Sequence, residues 1–491
     1  MYWTKELLSL GFLSDIFIYA VNNLVLMVTC FIFGVYVILA GISAISLRNY
    51  LRKNSYVDYH SIILAPLTPS ISIVAPAYNE ERSIVENIIA LNTIYYNNYE
   101  IIIINDGSKD NTFGKMVEFF ELEKVNYFFD YRLPCQRIRG VYKSRNSGYQ
   151  KLTVIDKVNG GKADALNAGI NTSKKDLICC IDVDSIVEPD ALLKMVKPFM
   201  EETDKKVIGT GGVLRIVNSC EIEDGKIKNI HLPTRFLPRV QALEYTRAFL
   251  LSRMAWSQLD GLLLISGALG LFDKEIVIQC GGYSTKTVGE DMELVVRMRS
   301  YMVTHKIPYK VVYIPDPLAW TEVPDTATQL TTQRNRWTRG TLETLIMHRN
   351  LFMKPKYGKF SILGYTYWLL FEWAAPLLEF FGYVWFIFLV VTNQVNWPFF
   401  LYLFAFVYTF ASMISIFAIL FEEKTFHKYK NRRDVLKLVL TALLEPIIYH
   451  PRTVLWAVRG NIDYMRGIRS WGKMEREGFG IDKKIKPKKN G

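Results

Sequence analysis

The chain has 491 residues, half of them apolar and 14% aromatic, with a mean hydropathy of +0.12 and a net charge of +12. That balance sets aside a wholly soluble protein in favour of a globular part joined to membrane segments. The six cysteines form no Cys-x-x-Cys pair and stand near no histidine cluster, which sets aside a zinc site and fits a reduced, cytoplasmic globular part.

Residues from about Leu24 to Ile45 are almost all apolar and long enough to span a bilayer. Lys5 is the only basic residue before them, whereas Arg48, Arg52 and Lys53 follow at once. The positive-inside rule predicts an outside N-terminus and a cytoplasmic chain after Arg48. From Ile71 the pattern alternates strand and helix. Ile71–Ala75 reads as a strand, Pro76–Glu80 as a loop, Glu81–Ile94 as a helix and Glu100–Ile104 as a buried strand that runs into Asn105-Asp106-Gly107-Ser108. Such alternation predicts a parallel sheet. The polar and basic stretch 135–160 reads as an extra hairpin or loop, and a helix opens at Lys162.

Leu177–Ile181 is an apolar run that ends in Asp182-Val-Asp184. Ligands of open α/β sheets bind beyond the carboxyl ends of the strands. Two carboxylates at i and i+2 of a strand face one way and repel unless a cation lies beside them. A lone Asp-x-Asp is more often a solvated turn, so the reading depends on its company.

After it come a helix from Pro189, a strand at Val207–Arg215, a loop at Cys220–Pro233 and a helix at Val240–Leu259. Next are a small-residue turn at Ser266–Gly270, a helix starting at Gly289-Glu290-Asp291 and a strand at Lys310–Ile314. Thr328–Arg349 predicts a basic, aromatic amphipathic helix on a membrane surface. Ile362–Val391 and Trp397–Phe421 predict two further spans, with a basic run at Lys424–Arg433 behind them. Val435–Val458 is apolar but broken by Pro446 and Pro451, and basic flanks on both sides predict a re-entrant segment or hairpin. Glu372 and Glu379, seven residues apart in the second span, share a helix face that is expected to line a conduit.

Seven motifs in this order resemble the membrane-embedded family 2 glycosyltransferases of the GT-A fold, which include synthases of poly-N-acetylglucosamine, chitin, hyaluronan and cellulose. They are Pro76-Ala-Tyr-Asn-Glu80, Asn105-Asp106-Gly107-Ser108, Gly161-Lys162-Ala-Asp-Ala-Leu-Asn167, Asp182-Val-Asp184, Ser266-Gly267-Ala, Gly289-Glu290-Asp291 and Gln333-Arg-Asn-Arg336-Trp337. The resemblance covers about Ile71 to Gly340. It implies a GT-A domain with a mixed, mostly parallel sheet, plus transmembrane and interfacial helices. The implied division is a span in 1–50, the catalytic domain in 68–327, an interface helix in 328–350, two spans in 361–421, the membrane hairpin in 435–465 and a basic cytoplasmic tail in 466–491.

By the same resemblance Tyr78, Glu80, Asp106, Lys162 and Asp182 are expected to bind the donor, and Asp184 a magnesium or manganese ion. Asp291 is the expected general base. Ser266, Gly267, Glu290, Gln333, Arg336 and Trp337 are expected to hold the diphosphate and the acceptor. The implied activity is inverting transfer from a UDP-sugar, UDP-N-acetylglucosamine or UDP-glucose, to a growing polysaccharide moved across the cell membrane. The alternatives are single-sugar transfer to a lipid, or an inactive UDP-sugar-binding subunit of a secretion complex. The implied partners are the donor, a glycan or lipid acceptor, the membrane and accessory export proteins, with no nucleic acid. Many cellulose synthases carry Thr-Glu-Asp where this chain has Gly289-Glu290-Asp291, a departure that favours an amino-sugar polymer.

Overall fold

The computed structural model describes residues 2–468 apart from 56, 58, 66, 67, 224 and 430. The basic tail lies outside the described residues from position 469 onward. Ten strands form one sheet: β1 (Ile71–Ala77), β2 (Tyr99–Asn105), β3 (Leu122–Val125), β4 (Ile138–Ser144), β5 (Leu152–Lys157), β6 (Leu177–Ile181), β7 (Ile186–Val187), β8 (Lys206–Ile216), β11 (Leu269–Asp273) and β12 (Tyr309–Thr321). β9 (Glu221–Glu223) and β10 (Lys226–Asn229) pair separately. The sheet order is β3-β4-β5-β2-β1-β6-β11-β8-β12-β7. β5, β2, β1 and β6 are parallel, and β11 runs antiparallel between β6 and β8.

Central parallel strands are covered on both faces, so they read as unbroken apolar runs. Ile101–Ile104 in β2 and all of β6 are buried accordingly, with Cys179 and Cys180 as small core residues. The basic stretch 135–160 folds as the β4–β5 hairpin, and β5 joins the main sheet beside β2. The stretch 220–233, expected as a loop, contains the β9–β10 hairpin; the Asp-Gly dipeptide at 224–225 between alternating residues is its local signal.

Three helices among the described residues are long and apolar enough to cross a membrane: Asp15–Asn54 within α1 (Tyr2–Asn54), then Phe360–Val391 and Trp397–Phe426. The first reaches well past the apolar stretch at 24–45, because its polar end continues the same helix. Glu379 of the second span pairs with His450 at 2.8 Å, whereas Glu372 is exposed. Residues 435–465, expected as a membrane hairpin or re-entrant segment, fall in two helices, Arg432–Ile448 and His450–Met465, neither of which qualifies as a span. The second packs on the basic, aromatic helix Ala327–Met347, where Gly460 meets Thr338.

Three helices position the site. α2 (Lys162–Thr172) follows β5, α3 (Glu290–Thr304) follows the Gly281-Gly282 turn, and α4 (Ala327–Met347) follows β12.

Candidate active site

β6 ends at Ile181, and Asp182 enters a turn closed by Ser185 N donating to Asp182 O at 2.9 Å. Strand alternation therefore stops before the two carboxylates, and they differ in exposure. The Asp182 side chain is partly exposed and contacts Lys162, whereas Asp184 is 5% exposed.

Lys162 opens α2, and its ammonium lies against the Asp182 carboxylate, 3.3 Å from the Gly267 carbonyl and 3.8 Å from Glu290. Burial works against its charge, but Asp182 and Glu290 outweigh that and hold Lys162 above its ordinary value. Asp291, in the first turn of α3, accepts from Gly267 N at 3.1 Å through one oxygen and from Met292 N at 2.8 Å through the other. Backbone donors thus orient a carboxylate beside a cation. A Cβ at Gly267 would stand 3.1 Å from Lys162 Nζ and 3.3 Å from Asp291 Oδ2, so glycine keeps this centre open. Lys162, Asp182, Gly267, Glu290 and Asp291, far apart in sequence, meet in one cluster, with Ser266 in the turn that places Gly267.

Asp106 directly follows β2, which β1 separates from β6, and is buried. It accepts from Lys157 Nζ at 2.5 Å, Gly160 N at 3.0 Å and Gly161 N at 2.8 Å. Lys157 is fully buried and also pairs with Asp164 at 2.6 Å. The sequence reading passed over Lys157 and Asp164. Two buried acids require a buried cation, and a lysine closing the strand before Gly160-Gly161-Lys162 was the available signal. Tyr78 is exposed at the end of β1, and Glu80 N donates to Thr112 Oγ1 at 2.8 Å. Gln333, Arg336 and Trp337 lie on α4, where Trp337 is exposed on one face and Arg334 covers its ring at 4.4 Å.

Burial pushes the Glu290 carboxyl up to about 7; Lys162 pulls it down and Asp291 adds to the rise. Ionisation of Glu290 above that value adds negative charge beside Lys162, where a diphosphate would be received. UDP affinity should therefore weaken as pH rises from about 6 to 8, and Glu290→Gln should flatten that dependence. Titration calorimetry on the full chain tests this, and an unchanged slope in the variant would assign it to another group.

The family 2 glycosyl transferase model matches residues 72–219, and the glycosyl transferase family group 2 model matches 177–418. The chain belongs to the family 2 glycosyltransferases. It is an enzyme of that class with three candidate membrane spans. It is 28% identical over 366 residues to the poly-beta-1,6-N-acetyl-D-glucosamine synthase of Staphylococcus epidermidis, covering 73% of this chain and 76% of that one. The synthase of the same name from Staphylococcus aureus strain COL is 28% identical over 308 residues, covering 63% and 62%. Among solved structures, the mannosyltransferase PcManGT from Pyrobaculum calidifontis superposes with a TM-score of 0.48 at 14% identity, covering 88% of this chain and 99% of that one.

Proposed function

We propose that this glycosyltransferase is an inverting, UDP-sugar-dependent β-transferase that elongates a polysaccharide, with N-acetylglucosamine as the sugar to test first. The observation that carries the chemistry is the cluster of Lys162, Asp182, Glu290 and Asp291 around Gly267. Tyr78, Glu80 and Asp106 receive the nucleoside. Lys162 meets the diphosphate as a compact point charge. Asp291, held by Gly267 N and Met292 N, takes the proton of the acceptor hydroxyl on the face opposite the leaving UDP. In-line displacement then converts an α-linked donor into a β-linkage. Arg336 suits the diphosphate through its forked donors, and the exposed indole of Trp337 offers the acceptor sugar a flat apolar face.

The donor set also fits a divalent cation. Asp184 and Asp182 offer hard oxygen ligands at the strand end, with no imidazole or thiolate in the set. No group of three or more His, Cys, Asp or Glu that could hold a metal occurs among the described residues. The ion would be bound by one or two carboxylates and completed by substrate phosphates. When bound, magnesium or manganese supplies charge neutralisation to the departing diphosphate.

Elongation and export are supported by the likeness to the two staphylococcal synthases and by the spans. Glu372 lies within a span, where its carboxylate meets the Tyr367 hydroxyl, and we read that polar pair as part of a path along which sugar hydroxyls pass. In this reading the catalytic domain faces the cytoplasm of the cell membrane, and Glu379 is held by His450.

Membranes bearing the protein, incubated with a panel of labelled UDP-sugars, should yield a long polymer that a linkage-specific β-glycosidase degrades. A single sugar on a lipid extractable into organic solvent would replace elongation with the lipid-modifying activity. UDP binding without turnover of any donor would leave a binding subunit.

A further inference from the structure

The turn before the Asp291 helix and the Gln333–Trp337 helix touch backbone to backbone. A Cβ built on Gly289 would stand 2.8 Å from Gly340 Cα and 2.9 Å from its carbonyl carbon, and a Cβ on Gly340 would stand 2.8 Å from Gly289 Cα. Neither position admits a side chain unless one element moves. One helical turn past Gly340, the Glu343 carboxylate reaches back to the same turn. Its Oε2 accepts from Thr287 Oγ1 and from Val288 N, both at 2.8 Å. Thr287 Oγ1 in turn accepts from Gly289 N at 3.0 Å. A second tie lies two turns further on, where His348 meets Glu293 of α3 at 3.1 Å. Burial would raise Glu293, but Arg297 and His348 outweigh it and hold the carboxyl down to about 2, so Glu293 is ionised at neutral pH.

We infer that Glu343, acting with the Gly289–Gly340 crossing, is a positioning residue that sets the distance between the general base and the acceptor-binding helix. The inference rests on the roles proposed for Asp291 and for Gln333, Arg336 and Trp337. Glu343 borders neither reacting group. It fixes the base-bearing turn, two residues before Glu290, to the helix that carries Trp337 six residues earlier. Glycine at 289 is then a packing requirement of this chain. A threonine there, as in the Thr-Glu-Asp version of the motif, would displace α4.

The consequence is measurable as coupling. If the acceptor helix drifts from the base, water reaches the donor more often than the acceptor hydroxyl does. Full-length enzyme in detergent or membranes should be assayed for sugar transferred and for UDP released. Glu343→Ala should lower transfer roughly 10- to 100-fold, the scale expected for a misplacement on the order of 1 Å. UDP affinity should hold, and UDP released per sugar transferred should rise. Glu343→Gln should restore coupling, because an amide oxygen accepts both hydrogen bonds. Thr287→Val keeps the side-chain shape but removes the bond to Glu343 and the one accepted from Gly289 N, and should show a shift of the same sign; it serves if Glu343→Ala does not fold. Gly340→Ala should uncouple without rescue by Gln at 343. Unchanged coupling in both Glu343→Ala and Thr287→Val, or transfer and UDP affinity falling together, would overturn the inference. Asp291→Asn, run in parallel, separates the two levels. Normal transfer by that variant removes the reading of the site itself, whereas a dead Asp291→Asn beside a fully coupled Glu343→Ala removes only the positioning role.

Discussion

Asp291→Asn should bind UDP within about twofold of the native enzyme and transfer sugar roughly 10²–10⁴-fold more slowly, the usual share of general-base catalysis. The substitution keeps the side-chain shape, and its oxygen can still accept from Gly267 N or Met292 N, so the site should stay assembled. What disappears is a basic lone pair for the acceptor proton. Glu290 stands next in the chain but is a poor substitute. Its carboxylate is buried and already faces Lys162 at 3.8 Å. Rates of transfer and equilibrium UDP binding, measured on the same preparation, separate chemistry from assembly. A variant that transfers at the native rate would move the base to another residue.

The strands that carry the site were legible because parallel strands are buried on both faces and cannot hide polar residues. Ile101–Ile104 and Leu177–Ile181 announce themselves and point to Asp106 and Asp182 just beyond their ends. What pattern could not give was how the chain turns after a strand stops. Asp182 and Asp184 lie in a turn rather than on a strand face because Ile181 is the last strand residue, and no periodicity marks that position. Lys157 was hidden for a different reason. It falls in a basic stretch, where a lysine is ordinarily solvated, and only the sheet pairing of β5 with β2 brings it under Asp106.

Close approach was illegible too. Gly289 looked like a departure from a motif, and its cause is Gly340, 51 positions further along the chain and touching it only in the fold. The helix His450–Met465 shows the converse. Pro451 and the apolar residues were the signal for a membrane hairpin or re-entrant segment, and the pattern did not reveal that the helix packs on α4 through Gly460, or that Asp463 accepts from Asn335 at 2.7 Å. A face buried against protein has the same composition as one buried in lipid, so hydropathy alone does not separate them.

Asp184→Ala should abolish transfer at every concentration of added divalent cation. Asp184 is 5% exposed, three residues past the end of β6 and two residues from Asp182, which meets Lys162. A second acid near a place that must receive a diphosphate adds negative charge, which a bound cation would offset. Lys162 alone does not suffice, since Asp182 and Glu290 already share its charge. A hard ion bound through Asp184 would reverse the local balance and leave room for phosphate oxygens to complete its coordination. Asp184→Asn retains the volume and removes the charge, so it distinguishes loss of the ion from a packing defect next to β6. In the native enzyme, chelator should weaken UDP binding and stop transfer, and added magnesium or manganese should restore both. In Asp184→Asn, UDP binding should be equally weak with and without the ion. Native-like turnover of either variant in chelator would remove the cation from this site and leave neutralisation of the leaving group to Lys162 and Arg336.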